Sequence, residues 1–310
     1  MDGSVYQIIK SSLDGEGRLP AGFSLPEEPG EGIRWAPGAQ DGVFLYHMFD
    51  PGDAGLSDGQ RELMEQGVSA LADLNFPVAD ALFGELTRES RAVGLVDPLQ
   101  RCVIDRQAEI DPDDMFNAAV LLMTCSENPE CVKIGLELME LFTQVDAGTA
   151  DVIRTLGAYD EFTLCAIWAF QRSEDLNREI FEFAKKVRGW GRIHAVERLE
   201  PETAEIRSWL LTDGADNDVM SAYSALVCWD KSGAEELLFS DPAGIGREQF
   251  AGLSLIMGGL LDEGPVPGIS QLQNRAEILK RFLEFSERFE LSEDEEGVVS
   301  AAADRLKEEA

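Results

Sequence analysis

The sequence predicts an all-α fold, a stack of short helical hairpins over residues 56–310 behind a small irregular cap, residues 1–55, that contains short strands. Three observations carry this expectation. Beyond Leu56 the apolar residues recur at the i, i+3, i+4, i+7 spacing of one buried helix face, and no alternating strand pattern interrupts them. Helix-opening signals recur between these stripes, with breaks of only about two to six residues, as between helices that fold back on one another. The first 55 residues, by contrast, are crowded with glycine and proline, which forbids long helices and implies turns and short extended pieces.

Within the cap, Val43–Met48 (VFLYHM) is the candidate strand, set between the turn-like Asp41-Gly42 and Asp50-Pro51-Gly52. Ser57 or Asp58 caps a first helix that carries Leu63, Met64, Val68 and Leu71. Asn75 and Pro77 restart the chain into Val78, Leu82 and Leu86. Val93–Ile110 reads as a looser connector. Asp111-Pro112-Asp113-Asp114 joins a capping aspartate, a proline at the first helical position and acids at the positive end of the helix dipole. It opens a helix through FNAAVLLMTC, and Asn128-Pro129-Glu130 opens another through Ile134, Leu138 and Leu141. Further helices are expected at 148–156, 160–171, 174–188, 192–199, 202–212, 217–229, 232–239, 246–262, 269–289 and 292–308.

The balance of 26 basic against 59 acidic residues gives a formal charge of −33. Such a surface repels phosphate backbones and anionic lipid, which argues against nucleic acid and membrane as partners and favours basic proteins, cations or neutral groups. The same charge keeps a protein soluble whatever it binds. Cys102, Cys125, Cys131, Cys165 and Cys228 are odd in number and include no CxxC pair, so they indicate neither a disulfide framework nor a zinc ribbon. They read as free thiols of a reducing compartment. No leader pattern opens the sequence and no run approaches the roughly 18 apolar residues of a membrane span, so a cytoplasmic protein is expected.

The stretch Leu176–Gly214 concentrates what is unusual. Leu176, Ile180, Phe183, Ala184 and Val187 form one helical stripe, and Gly189 and Gly191 then bracket Trp190 in a corner that lets the next helix leave at an angle. Here lies the basic cluster of an acidic chain: Lys185, Lys186, Arg188, Arg192 and Arg198. His194 lies here too, three residues before Glu197. Two readings of the cluster stand side by side. The cations could hold a phosphate, a carboxylate or an acidic tail; equally, they could offset helix dipoles and satisfy orphan carbonyls at helix junctions. The His194–Glu197 pair has the residue types for acid–base work. A zincin pattern would need a second histidine four residues on, where Arg198 stands, and the only other histidine, His47, is remote in sequence. No metal and no cofactor is expected: the Asp111 run lacks the calcium-loop glycine, and no GxxxxGK[ST], GxGxxG after a strand, or GxSxG occurs.

The amphipathic pairs over about 110–290 resemble HEAT and armadillo-type helical repeats, with a pair every 35 to 45 residues or so. The blocks YDEFTLCAIWAF (159–170) and GWGRIHAVERLEPETAEIRSWLL (189–211) resemble an uncharacterised family of acidic bacterial proteins. The first resemblance implies an α-solenoid with a concave binding face; the second implies no activity. The functional expectation is a cytoplasmic protein–protein interaction module, a scaffold or an inhibitor of immunity type, with a groove lined by the 159–214 helices and a basic protein as partner. The alternative is a small-molecule or anion-binding protein, conceivably an enzyme, centred on Arg192, His194, Glu197 and Arg198. Lys185, Arg188 and Trp190 complete the set of candidate binding residues.

Overall fold

The computed structural model describes residues 3–26, 34–48, 55–240, 245–264 and 266–309. Among these residues the elements are all helical, with no strand. The chain divides into two compact units, Met1–Gly191 and Arg192–Ala310. No helix among the described residues is long and apolar enough to cross a membrane.

The first unit is built around α7 (Pro129–Met139). Asn128 caps it by accepting from the Glu130 N–H at 2.9 Å, Pro129 supplies the first helical residue, and every residue from Cys131 to Met139 is buried. Around it pack α4 (Phe76–Leu86), α5 (Val96–Asp105), α6 (Pro112–Cys125) and α9 (Thr163–Ala169). The Asp111 start is as expected, the side chain accepting from Asp113 and Asp114. At Gly135 a Cβ would press on the Ala119 carbonyl at 2.9 Å, so the glycine is what lets α6 and α7 approach this closely. Two further helices, α3 (Asp58–Ala72) and α8 (Ala147–Gly157), pack against α4 and α9 respectively. The capping box of Ser57 and Gln60 opens α3.

Three expectations for the N-terminal half need correction. Val5–Ser12 is a helix, α1, whose Val5, Tyr6 and Ile9 are buried against α6 and α8; the glycine-free run after Gly3 leaves room for two turns. The proposed strand at Val43–Met48 is helical instead. Ala39–Val43 forms a short α2, and Phe44–Met48 continues it as a turn of π-helix. Its cause is Trp190, whose ring lies against both Gly42 and Tyr46, the latter at 5.6 Å between centroids. In a strand, two residues four apart would stand about 13 Å from each other, too far for one indole to meet both. The turn expected at Asp50-Pro51-Gly52 lies outside the described residues. Finally, the connector Val93–Ile110 holds α5, with Leu99 and Val103 buried one turn apart. Pro98 does not break it, because its missing N–H falls in the first turn, where no intrahelical partner exists.

At the end of this unit α10 (Leu176–Lys186) stops and α11 (Trp190–Arg198) begins. Asp160 Oδ1 accepts from the N–H groups of Gly189 and Gly191 at 2.8 and 2.9 Å, so a carboxylate sits at the start of α11 where its dipole is positive. The expected two-glycine corner is there, and a Cβ at Gly191 would collide with Thr163.

The second unit centres on α15 (Arg247–Leu261), against which α12 (Ala204–Thr212), α13 (Ala222–Ser232) and α17 (Glu293–Glu308) pack. Phe250 stacks on Phe282 of α16 (Arg275–Ser286) and on Phe289, with centroids 5.8 and 4.5 Å apart. Ser292 and Glu295 form the capping box of α17, and Arg247 holds the Glu295 carboxylate through two bonds of 2.6 and 2.7 Å. Gly252 marks the tightest crossing, since a Cβ there would enter the Leu211 carbonyl of α12. Backbone cannot rotate away as a side-chain tip can. Gly252→Ala is therefore expected to lower unfolding stability by about 1–3 kcal/mol despite the better helix propensity of alanine, as read from urea denaturation midpoints.

A buried charge cluster beneath a cleft as the candidate functional site

A helix buried all round has no water to offer a charged side chain, so any charge on it must be met by protein. Lys133 of α7 is such a residue, with a fully buried side chain. Its ammonium has three N–H donors, and three carboxylates take them: Asp41 at 2.5 Å, Glu161 at 2.5 Å and Glu130 at 2.8 Å. Arg91 caps the group from the cleft side. It pairs with Asp41 and Gln40 and donates to Glu130 at 2.8 Å. The four elements that deliver these side chains are α2, the turn before residue 92, the first turn of α7, and the 159–162 turn between α8 and α9. Glu130 and Glu161 each also take a backbone N–H with the second oxygen, from Ala92 at 2.8 Å and from Gly38 at 2.6 Å.

Burial disfavours the charges of Lys133, Asp41 and Arg91, and their neighbours outweigh it. Although burial pulls Lys133 down, Glu161, Glu130 and Asp41 hold it well above the ordinary lysine value. Asp41 is likewise raised by burial but held below its ordinary range by Lys133 and Arg91. Arg91 is driven up in turn, against its own burial, by Glu130 and Asp41. With three carboxylates facing two cations, the cluster keeps one net negative charge. The oxygens of Asp41, Glu130 and Glu161 lie within 4.8 Å of one another, close enough to hold a cation, and the Lys133 ammonium occupies the place among them.

One turn along α7, Glu137 is fully buried, with Oε1 3.8 Å from the Cys165 thiol and Oε2 without a hydrogen-bond partner among the described residues. Burial, reinforced by the charge of Glu130, pushes it well above the ordinary carboxylate value, which favours its protonated form. The Cys165 thiol is pushed up too, by burial and by Glu137.

Above the cluster opens a cleft of about 430 Å³. Arg91, Glu130 and Glu161 form its charged side; Trp35, Pro37 and Tyr159 form its apolar side, with Trp35 at 41% exposure. The Tyr159 hydroxyl accepts from the Leu25 N–H at 3.2 Å, and its ring meets Phe23 edge-on at 5.4 Å, which fixes the N-terminal wall.

The residues singled out in the sequence fall elsewhere. Lys185 pairs with Glu182 at 2.7 Å and lies 4.4 Å from the Phe181 ring; Arg188 is exposed; Trp190 is buried against α2. These three belong to the first unit, whereas Arg192, His194, Glu197 and Arg198 belong to the second. There the buried Arg192 donates to the Asp216 carbonyl at 2.6 Å and lies over Trp209 at 5.5 Å. His194 is buried, and Arg198 joins Glu197 at 2.8 Å and the His194 carbonyl at 3.1 Å. No protein-family model, curated protein or solved structure gives a significant match to this chain.

Two measurements test the electrostatics of the cluster. Lys133→Met leaves three carboxylates with one cation and is expected to cost about 3–5 kcal/mol near neutral pH, with part of the loss recovered in acid as the carboxylates take up protons. Glu137 has the opposite sign. Its folded pKa lies above the unfolded value of 4.5, so its contribution is complete below that value and is lost as pH rises through the folded pKa. Glu137→Met is therefore expected to be more stable than wild type at neutral pH, by a margin that shrinks as the solution is taken below the ordinary carboxylate range. Denaturant titrations at several pH values check both.

Proposed function

We propose that this protein is a cytoplasmic interaction module, a scaffold or an inhibitor of immunity type, whose partner is a basic protein. The observation that carries the proposal is the cleft, where an exposed indole faces a charge cluster with one uncompensated negative charge. A lysine or arginine side chain entering it would lie against Trp35 and approach Glu130 and Glu161. Each of these has an oxygen that accepts one backbone N–H and so has a lone pair to spare. The formal charge of −33 supports the same reading, because it accelerates encounter with a basic surface at low ionic strength. The cleft also shares Tyr159 and Glu161 with the stretch expected to line the binding groove. Within each unit, successive helices that pack on one another, α3 with α4, α6 with α7 and α12 with α13, support a reading as HEAT-like hairpins.

The test starts from a native lysate passed over immobilised wild-type protein and Trp35→Ala in parallel, followed by titration of the recovered protein after purification. The expected partner is basic, binds progressively more weakly as salt is raised, and loses about tenfold or more in affinity, roughly 1.4 kcal/mol, on Trp35→Ala. A partner whose affinity ignores both salt and Trp35, or no recovered protein at all, counts against the proposal.

A further inference from the structure

A separate feature of the first unit is an open groove of about 620 Å³ between α3 and α5. Its walls follow from helical spacing. Arg61, Glu65 and Ser69 recur every fourth residue along α3, while Pro98, Arg101, Cys102 and Asp105 share one face of α5. Leu56, Met64 and Pro98 give the groove its apolar lining. Arg106 closes one end and is itself committed, donating to Ser69 Oγ at 2.9 Å and to the Glu65 carbonyl at 3.3 Å.

Two further arginines line the groove, Arg61 and Arg101. Acids outnumber bases by 59 to 26 in this chain, and its exposed arginines are used in more than one way: Arg18, Arg88 and Arg247 pair with carboxylates, while Arg172 and Arg207 donate to backbone carbonyls. Arg61 and Arg101, one on each wall of the groove, are exposed, and their side chains make no ion pair or hydrogen bond with the described residues. Nearby carboxylates, Glu62, Glu65 and Asp105, line the same groove without pairing with either. They set a limit on what could bind there: a polyanion would be repelled, whereas a single anionic head could take the two guanidinium groups. The volume falls within the usual range for small-molecule sites, roughly 300–1,000 Å³, and the apolar lining suits a hydrocarbon body.

We infer that the α3–α5 groove is a binding site for an amphipathic organic monocarboxylate, its head held by Arg61 and Arg101 and its apolar body laid along Met64 and Pro98. This site is independent of the cleft at Trp35, and either reading can fail without the other.

Octanoate is the probe, with 1-octanol and inorganic phosphate beside it, each titrated calorimetrically into wild type and into the double variant Arg61→Gln/Arg101→Gln. Both substituted side chains are exposed, so the variant is expected to keep the wild-type circular dichroism and melting temperature. Cys102 supplies a second readout because it lines the groove, while the exposed Cys125 lies outside it. Octanoate is expected to bind wild type, to slow maleimide labelling of Cys102 and not of Cys125 in peptide mapping, and to bind the double variant about tenfold more weakly or worse. The inference is overturned if octanoate gives neither heat nor protection. Equal binding by wild type and variant would overturn it too, as would 1-octanol or phosphate alone binding as tightly as octanoate.

Discussion

The first unit depends on the Lys133 ammonium being met on all three of its N–H groups. Its central helix is buried from Cys131 to Met139, and a bare cation there would be untenable. Three carboxylates from three separate parts of the chain therefore have to arrive together. That requirement fixes α2 against α7 through Asp41 and the 159–162 turn against both through Glu161. Arg91 then fits because three acids cannot share one lysine without leaving excess charge. The cleft exists where these compensations stop at the surface.

The 159–161 turn distributes the same logic to other segments. Tyr159 holds the backbone at Leu25, Asp160 holds the glycine corner that starts α11, and Glu161 holds both Lys133 and the Gly38 N–H. Three consecutive side chains thus fasten the N-terminal segment at Leu25 and Gly38, the central helix at Lys133 and the corner at Gly189 and Gly191. Trp190 adds an apolar contact to the same region through Gly42 and Tyr46. Polar and apolar fastenings therefore agree on one placement for residues 34–48, and that agreement across kinds of interaction is what makes a local conformation definite.

Helices were legible in the sequence wherever their signals are local. Asn128-Pro129 and Asp111-Pro112 open helices where expected because capping is decided within four residues. The helical winding of Val43–Met48 was illegible because its cause, Trp190, lies almost 150 residues away. The charge cluster was hidden for the same reason: Asp41, Arg91, Glu130, Lys133 and Glu161 look like ordinary members of an acidic chain. Its one local trace was the run CVKIGLELM, where Lys133 and Glu137 stand in an otherwise apolar helix with no polar face to place them on. The basic residues at 185–198 are close in sequence, but sequence alone does not say what each one meets. In the fold Lys185 pairs with Glu182 of its own helix and Arg192 donates to the Asp216 carbonyl beyond α12.

The span of the Lys133 contacts has a consequence for how the molecule is made. Asp41 and Lys133 are 92 positions apart, and Gly38 and Glu161 are 123 apart. As synthesis proceeds from the N-terminus, residues 34–48 leave the ribosome well before their anchors, which are among the last parts of this unit to appear. Until then Asp41 has neither cation beside it and Gly42 has no indole to lie against. This segment therefore closes the unit late, over a core of helices that can pair with near neighbours as they emerge.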